Sequence, residues 1–328
     1  MKRDNAARTG RFSVACLASA LFASLVHAQG YPTKPVRMVA PYAPGLPADI
    51  LTRGMVEPLG RVLGQPIVVD NRVGADGIIG SELCAKAPPD GYTLCSSSSG
   101  YITFNPVLRA KLPYEPLRDY AWITMIGFFD SGLIAFPGSP ANSVQELIDQ
   151  AKAKPDTVTW ASFGVGSAGY MYMEWLRHSR GAAFYHVPFK TQQQAVQAVM
   201  AGEAHVAVNS LTSIAGLVRG GKLKLLAVTS AKRAGFAPEA QTFDELGIKL
   251  PLRSWFGYHA PAGIPRDIVQ RLNVEINRIQ ADPSYKANFM DRQSIEPMVT
   301  TPEEYEAFVK KNRRDIAELV TFIGLKPE

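Results

Sequence analysis

The stretch TVTWASFGVGSAGYMYMEWLRHSR, residues 157–180, decides the fold. It opens on an apolar, β-leaning run (TVTWA), passes through a loop with three glycines (Gly164, Gly166 and Gly169), and continues into a helical-looking run (MYMEWLRHSR). Strand, glycine turn and helix in that order make the first half of a βαβ unit. The same alternation recurs on both sides. Upstream, the strand VRMVA precedes the helix ADILTRGMVEPLGRVLG, IVVDN precedes GIIGSELCAKA, and YTLCSS adds a third strand. Downstream, FYHVPF precedes QQQAVQAVMAG, HVAVNS precedes LTSIAGLVRGG, and KLKLLAVTS follows. The pattern restarts at the helix SVQELIDQAKAK, so two α/β units follow one another, each with a largely parallel sheet. Beyond PLRSWFGYHAP the chain turns helical. The helix in PRDIVQRLNVEINRIQAD begins after Pro265, a favoured first-turn residue, and TPEEYEAFVKKNRRDIAELV pairs Thr301 with Glu304 in a capping-box arrangement.

The beginning of the chain carries an address. MKRDNAARTGRFSVACLASALFASLVHAQG has a basic start (Lys2, Arg3, Arg8, Arg11), an apolar stretch of roughly fifteen residues, and Val26-His27-Ala28 ahead of Gln29. That is the pattern of a cleaved signal peptide over residues 1–28, and it predicts a soluble protein exported to the periplasm. Cys16 lies in the middle of the apolar run and lacks the preceding Leu of a lipoprotein site. Removing residues 1–28 takes away four basic residues and one acid, leaving 31 against 28, a net charge of +3. The remaining basic residues are scattered and have no aromatic interleaving, which argues against nucleic-acid binding. About 300 residues remain, more than one core usually holds, so two domains are expected. Only Cys84 and Cys95 survive cleavage. Exported proteins permit a bridge, but two small buried apolar residues, one on a helix and one on a strand, are the commoner reading. No Cys/His array has metal-ligand spacing, so no metal and no cofactor are expected.

Three loops share one design, a glycine-containing turn from a strand into a helix start: PYAPGLPAD (41–49), NRVGADGIIG (71–80) and SFGVGSAG (162–169). Unpaired N–H groups and partial positive charge at a helix start make each a candidate anion site that needs no Arg or Lys. The third loop contains G-x-G-x-x-G, but a dinucleotide site also calls for an acid about twenty residues on. Here FYHVPFK stands instead, without a carboxylate. A serine-hydrolase reading fails on Val165, which occupies the first glycine position of G-x-S-x-G around Ser167. Asp49 and Asp76 are single acids near helix starts, where capping is the common role. The residues therefore argue for a carboxylate-type anion site, with a purely structural glycine turn as the alternative, and against an enzyme.

The segments YPTKPVRMVAPYAPGLPADILTR, GQPIVVDNRVGADGIIGSELCAKAPPDGYTL, FNPVLRAKLPYEPLRDY, HVPFK, LLAVTSAKR and SWFGYHAPAGIPRDIVQRLNVEI occur in order. They strongly resemble the Bug (TctC-like) family, the extracytoplasmic solute-binding receptors of tripartite tricarboxylate transporters. The resemblance covers the chain from about Tyr31 onward. It implies a two-lobed periplasmic-binding-protein fold of type II kind, with two parallel or mixed sheets flanked by helices and joined by two crossovers. Lobe one would comprise residues 29–129 plus 253–328 and lobe two residues 130–252, with the ligand cleft between them. It further implies a monomer that closes over a small carboxylate, aromatic or an aliphatic di- or tricarboxylate, and presents it to the transporter's membrane subunits. A periplasmic sensor that hands its closed state to a signalling partner would carry the same sequence; a periplasmic hydrolase is the remaining alternative.

By the same resemblance, the ligand-facing residues of lobe one are Tyr42, Ala43, Pro44, Gly45, Leu46, Ala48, Asp49, Gly77, Ile78, Ser98 and Ser99. Those of lobe two are Ser162, Phe163, Gly166, Ser167, Phe189, Thr191 and Asn209. Two departures bear on the ligand. Many relatives have P-G-G-S-T-D where this chain has Pro44-Gly45-Leu46-Pro47-Ala48-Asp49, and K-G where it has Lys190-Thr191-Gln192. With Phe163, Tyr170 and Tyr172 in or after the third loop, these changes suggest a more apolar pocket suited to a bulky or aromatic acid. Packing of the tyrosines into the helix core is the competing reading.

Overall fold

The computed structural model describes residues 30–327 apart from Val165; the signal-peptide reading of residues 1–28 lies outside the described residues. The chain first lays down β1 (Val36–Ala40), β2 (Ile67–Asn71), β3 (Thr93–Ser98) and β4 (Tyr120–Phe129). It then builds β5 (Ser131–Ala135), β6 (Thr159–Ser162), β7 (Tyr185–Pro188), β8 (Val206–Ser210), β9 (Lys224–Val228) and β10 (Gln241–Thr242). Finally it returns with β11 (Ser254–Pro261) and β12 (Ile295–Pro297). Two six-stranded sheets result, ordered β12-β4-β11-β3-β1-β2 and β10-β9-β5-β8-β6-β7. In the first, β1 pairs in parallel with β2 and β3, and the antiparallel strand β11 joins β3 to β4. In the second, β6 pairs in parallel with β7 and β8, and β5 is antiparallel to β8 and β9. The fold is the two-lobed α/β arrangement, each sheet mixed and flanked by helices.

The helices that position the cleft are α1 (Pro47–Leu63), α2 (Ile78–Ala85), α3 (Val144–Ala153), α4 (Ala168–Arg180), α5 (Gln192–Ala201), α6 (Leu211–Arg219), α7 (Arg266–Ala281) and α8 (Pro302–Phe322). Their apolar stripes explain their placement. In α1, Leu51, Met55, Leu59 and Leu63 recur every fourth residue and are buried, which seats that face on the sheet. β1 is buried along nearly its whole length, as expected of a strand with parallel neighbours and helices on both faces. The capping box of α8 forms as read: Glu304 N–H donates to Thr301 Oγ1 (3.1 Å) and Thr301 N–H to Glu304 Oε2 (2.8 Å).

The chain passes between the sheets twice. Asp130 alone separates β4 from β5, and Arg253 immediately precedes β11. The two passages are tied together. Arg253 Nη2 donates to Asp130 Oδ1 (2.8 Å) and to Glu296 Oε2 (2.6 Å), and its guanidinium lies 4.2 Å from the Phe128 ring centre.

The cysteines correct the sequence reading. Cys84, in the last turn of α2, and Cys95, in the middle of β3, form a disulfide with Cα atoms 6.3 Å apart. Both are buried, as a pair of small apolar residues would be, but α2 folds back onto its neighbouring strand and brings the sulfurs together. His259 lies 3.4 Å from Cys84 Sγ, and its Nδ1 is 2.6 Å from Ser97 Oγ. Burial pushes the His259 pKa down to about 3, so the ring is neutral. This Cys84/Cys95/His259 group has metal-like proximity, but its sulfurs are already bonded to each other.

Candidate ligand cleft

In an open α/β sheet, loops that follow the carboxyl ends of parallel strands gather on one side. Here β1, β2 and β3 of one sheet and β6 and β8 of the other direct those ends at a shared cleft of about 840 Å³. The starts of α1 (Leu46, Pro47, Ala48), α2 (Gly74, Asp76, Gly77) and α4 (Gly166, Ser167, Ala168, Gly169) all line it. Each brings backbone N–H groups without helical partners to the cleft wall. Three helix N-termini converging on one space give a positive field without a committed cation.

The first loop is fixed from behind. Asp49 is 2 % exposed. Its Oδ2 accepts from Gly45 N–H (2.9 Å) and Arg53 Nε (2.9 Å), and its Oδ1 from Asn71 Nδ2 (2.9 Å). Burial alone would raise its pKa, but the hydrogen bonds from Asn71, Gly45 and Arg53 outweigh it and hold the carboxyl below its ordinary value. Asn71, the last residue of β2, also donates to Tyr42 O (3.0 Å), and Tyr42 Oη bonds Thr52 Oγ1 (2.6 Å). Asp49 therefore ties the loop of residues 41–49 to the neighbouring strand. Its carboxylate is consumed in that role.

The second loop is held in an uncommon conformation. Ala75 and Asp76, neither of them glycine, have φ of 47° and 52°, between Gly74 at 132° and Gly77 at 84°. Asn105 Nδ2 donates to Asp76 O (3.1 Å), and Arg109 Nη2 to Asp76 Oδ2 (2.7 Å), which offsets part of the strain.

The third loop answers the enzyme question. Ser167 Oγ donates to Gly164 O (2.7 Å) and accepts from Tyr170 N–H (3.2 Å), so it is the N-cap of α4. His186 pairs with Ser162 Oγ instead, at 2.7 Å, and burial lowers its pKa.

Ten of the residues expected at the ligand line the cleft. From the first lobe these are Tyr42, Ala43, Leu46, Ala48, Gly77, Ser98 and Ser99; from the second, Phe163, Gly166 and Ser167. The others stand behind it or on its rim. Pro44 and Gly45 are exposed in the first loop and Asp49 is its staple. Ile78 and Phe189 pack against core clusters. Ser162 is bonded to His186. Thr191 caps α5 through Gln194 N–H (3.2 Å), and Asn209 donates to Gln192 O (3.3 Å). The apolar departures do face the cleft: Leu46 and Phe163 are 41 % and 44 % exposed, beside Val73 at 55 %. The tyrosines do not. Tyr172 is 2 % exposed and stacks on Phe243 with centroids 4.7 Å apart, and Tyr170 meets His186 edge to face at 4.9 Å.

Sequence reasoning missed the helical segment after β3, from which Phe104, Asn105, Leu108 and Arg109 reach the cleft. The signal was available, since GYITFNPVL repeats the strand-to-helix design that marked the other loops. It also missed Ser131, Ser254 and Trp255 beside the crossovers, and Leu325 and Lys326 beyond α8. Those join the site only through long-range folding. The lobes touch across the opening: a methyl group on Gly166 would sit 3.4 Å from Leu108 Cδ1. At the other side, Thr212 Oγ1 donates to Gln293 O (2.7 Å).

Residues 51–325 match the family model described as "Tripartite tricarboxylate transporter family receptor". The chain belongs to this receptor family. The receptor is 32 % identical to protein BugT of Bordetella pertussis over 312 residues, covering 94 % of this chain and 95 % of BugT. Among solved structures it resembles the periplasmic binding protein BugD (30 % identity, TM-score 0.75, covering 91 % of this chain and 100 % of BugD). It also resembles an R. palustris protein solved with adipate (27 %, TM-score 0.79, covering 91 % and 100 % of the two chains). MatC from Rhodopseudomonas palustris with bound malate is a further likeness (25 %, TM-score 0.72, 88 % and 100 %). The receptor is thus a periplasmic-binding-protein-type chain and not an enzyme. Among its described residues, no helix is long and apolar enough to cross a membrane.

Proposed function

We propose that the receptor captures a small carboxylate between its lobes and delivers it to the membrane subunits of a tripartite tricarboxylate transporter. The observation that carries this reading is the convergence of three helix starts, with their unpaired N–H groups, on one cleft. One ligand carboxylate would be held by the loops around Ala43–Ala48 and Gly77, with Ser98 and Ser99 beside them. Ser167, Phe163 and the start of α4 would face the remainder of the molecule. Solved relatives that hold adipate and malate support an aliphatic dicarboxylate over an aromatic one. The apolar walls of Leu46, Val73 and Phe163 would then pack on its methylene chain, and ordered waters would fill the rest of the cleft.

On this reading residues 29–129 plus 253–328 form lobe one and residues 130–252 lobe two, hinged at Asp130 and Arg253, with the end of α8 packed against lobe two. A ligand that touches both lobes only when they are closed shifts the open–closed equilibrium by its differential affinity. The closed form is what the membrane subunits would recognise. Residues 1–28 would serve as the export signal.

Thermal-shift screening of the protein from Gln29 onward tests the proposal. The panel should hold aliphatic di- and tricarboxylates, aromatic acids and neutral analogues. At a hundredfold excess over Kd, linkage stabilises the bound form by about 2.7 kcal/mol, and neutral analogues should give no shift. Silence across every carboxylate would end the receptor reading.

A further inference from the structure

We propose that Lys326 is a ligand-binding residue that sets the charge class of the ligand, selecting acids with a second anionic group. The inference rests on the carboxylate reading of the cleft and adds a residue from a part of the chain remote from the glycine loops. It begins with α8, which spans both lobes. Near its start, Tyr305 packs edge to face on Trp122 and Trp255, at centroid distances of 5.3 and 5.7 Å. Near its end, Ile316, Leu319 and Val320 join the apolar cluster that holds Met173 and Leu176 of α4.

The turn after α8 then directs the chain into the cleft. Gly324 adopts φ +67°, the left-handed conformation that suits glycine at a helix end. Its N–H donates to Thr321 O (3.1 Å), and Leu325 N–H donates to Val320 O (3.1 Å). This reversal places Leu325 and Lys326 in the cleft lining, with Leu325 half-buried and Lys326 exposed at the rim.

Charge bookkeeping gives the chemical class. Among the described residues, three ionised side chains line the cleft: Asp76, Arg109 and Lys326. Asp76 and Arg109 pair at 2.7 Å. Among the described residues, Lys326 has no ion pair. The helix starts supply donors for one carboxylate at the glycine loops. A second carboxylate against the apolar walls of Leu46 and Phe163 would be desolvated without a counter-charge. Lys326 provides one at the rim, and a neutral or apolar ligand end would gain nothing from the ammonium.

Isothermal titration of the wild type, Lys326→Gln and Lys326→Arg with adipate and with hexanoate separates the cases, since the two acids share a chain length and differ in one carboxylate. We expect Lys326→Gln to lose about threefold to fivefold in adipate affinity, the size of a solvent-exposed ion pair. Hexanoate binding should stay unchanged and Lys326→Arg should keep most of the adipate affinity. Equal loss for both acids, or no loss for either, would overturn the role of Lys326 while leaving the carboxylate cleft standing. A wild type that binds neither acid nor any other carboxylate would refute the cleft reading itself, and Lys326 with it.

Discussion

Gly45 and Gly77 offer a controlled pair, because both sit at φ +84° in the two loops that open α1 and α2. Replacing either by alanine forces an L side chain into the left-handed region, at about 1–2 kcal/mol. The surroundings then separate them. A methyl on Gly45 would meet nothing within 4 Å, whereas one on Gly77 would lie 2.6 Å from Tyr101 Cδ1 and 3.1 Å from its Cγ. Tyr101 has little room to yield. It is 4 % exposed, its Oη donates to Ser96 O (2.8 Å), and its carbonyl accepts from Tyr114 Oη (2.7 Å). Overpacking of that kind adds about 1–3 kcal/mol. Gly45→Ala should therefore cost about 1–2 kcal/mol and Gly77→Ala about 2–5 kcal/mol. Calorimetry should place the Gly77→Ala melting temperature at least about 2 °C below that of Gly45→Ala, on the usual conversion for a lobe-sized unit. Urea titration should give the same order at unchanged m-value. Equal destabilisation of the two variants would refute the argument that Tyr101 fixes the second loop.

Asp49→Asn should destabilise the protein by about 2 kcal/mol at neutral pH, the worth of a charged acceptor holding several donors. Because the native pKa of Asp49 is depressed below 3.8, its contribution is complete above that value and is lost as pH falls through the native one. The gap between wild type and variant, measured by urea denaturation, should be full at neutral pH and shrink in acid below about pH 4; a gap independent of pH would refute the staple. Replacing both Cys84 and Cys95 by alanine opens a loop with a sequence separation of 11, worth roughly 3 kcal/mol by chain entropy. The double variant should melt several degrees lower with carboxylate binding retained; an unchanged melting temperature would assign the bridge no stabilising role.

Much of this architecture was legible because it is local. Alternating apolar runs and amphipathic stripes located β1 to β3, β6 to β9 and their helices, and Thr301 with Glu304 announced the start of α8. The glycine loops were legible for a related reason, since a strand that turns straight into a helix must leave N–H groups free at the turn. The Cys84–Cys95 bridge was not. Its spacing suits a bridge and a pair of buried apolar residues equally, and only the return of α2 onto β3 decides between them. Tyr170 and Tyr172 failed for the same reason: a helix start places some of its residues towards the ligand space and others into the core, and side-chain direction depends on how α4 lies on its sheet.

Apart from the segment after β3, the residues that sequence missed share one property, that they reach the cleft from positions distant in the chain. Ser131, Ser254 and Trp255 flank the crossovers, and Lys326 lies some 160 residues from Phe163, yet all line one space. A two-lobed chain that crosses twice and then sends a final helix over both lobes folds its remote segments onto the cleft. This division has a chemical sense. The glycine loops present backbone N–H groups, which any carboxylate can use and which point mutation alters little. The distant segments present side chains, which differ readily from one relative to the next. Anchoring and selection thus fall on different parts of the chain. Swapping Ser131 or Ser254 should then change which acids bind, whereas disturbing the loop around Gly77 should weaken them all.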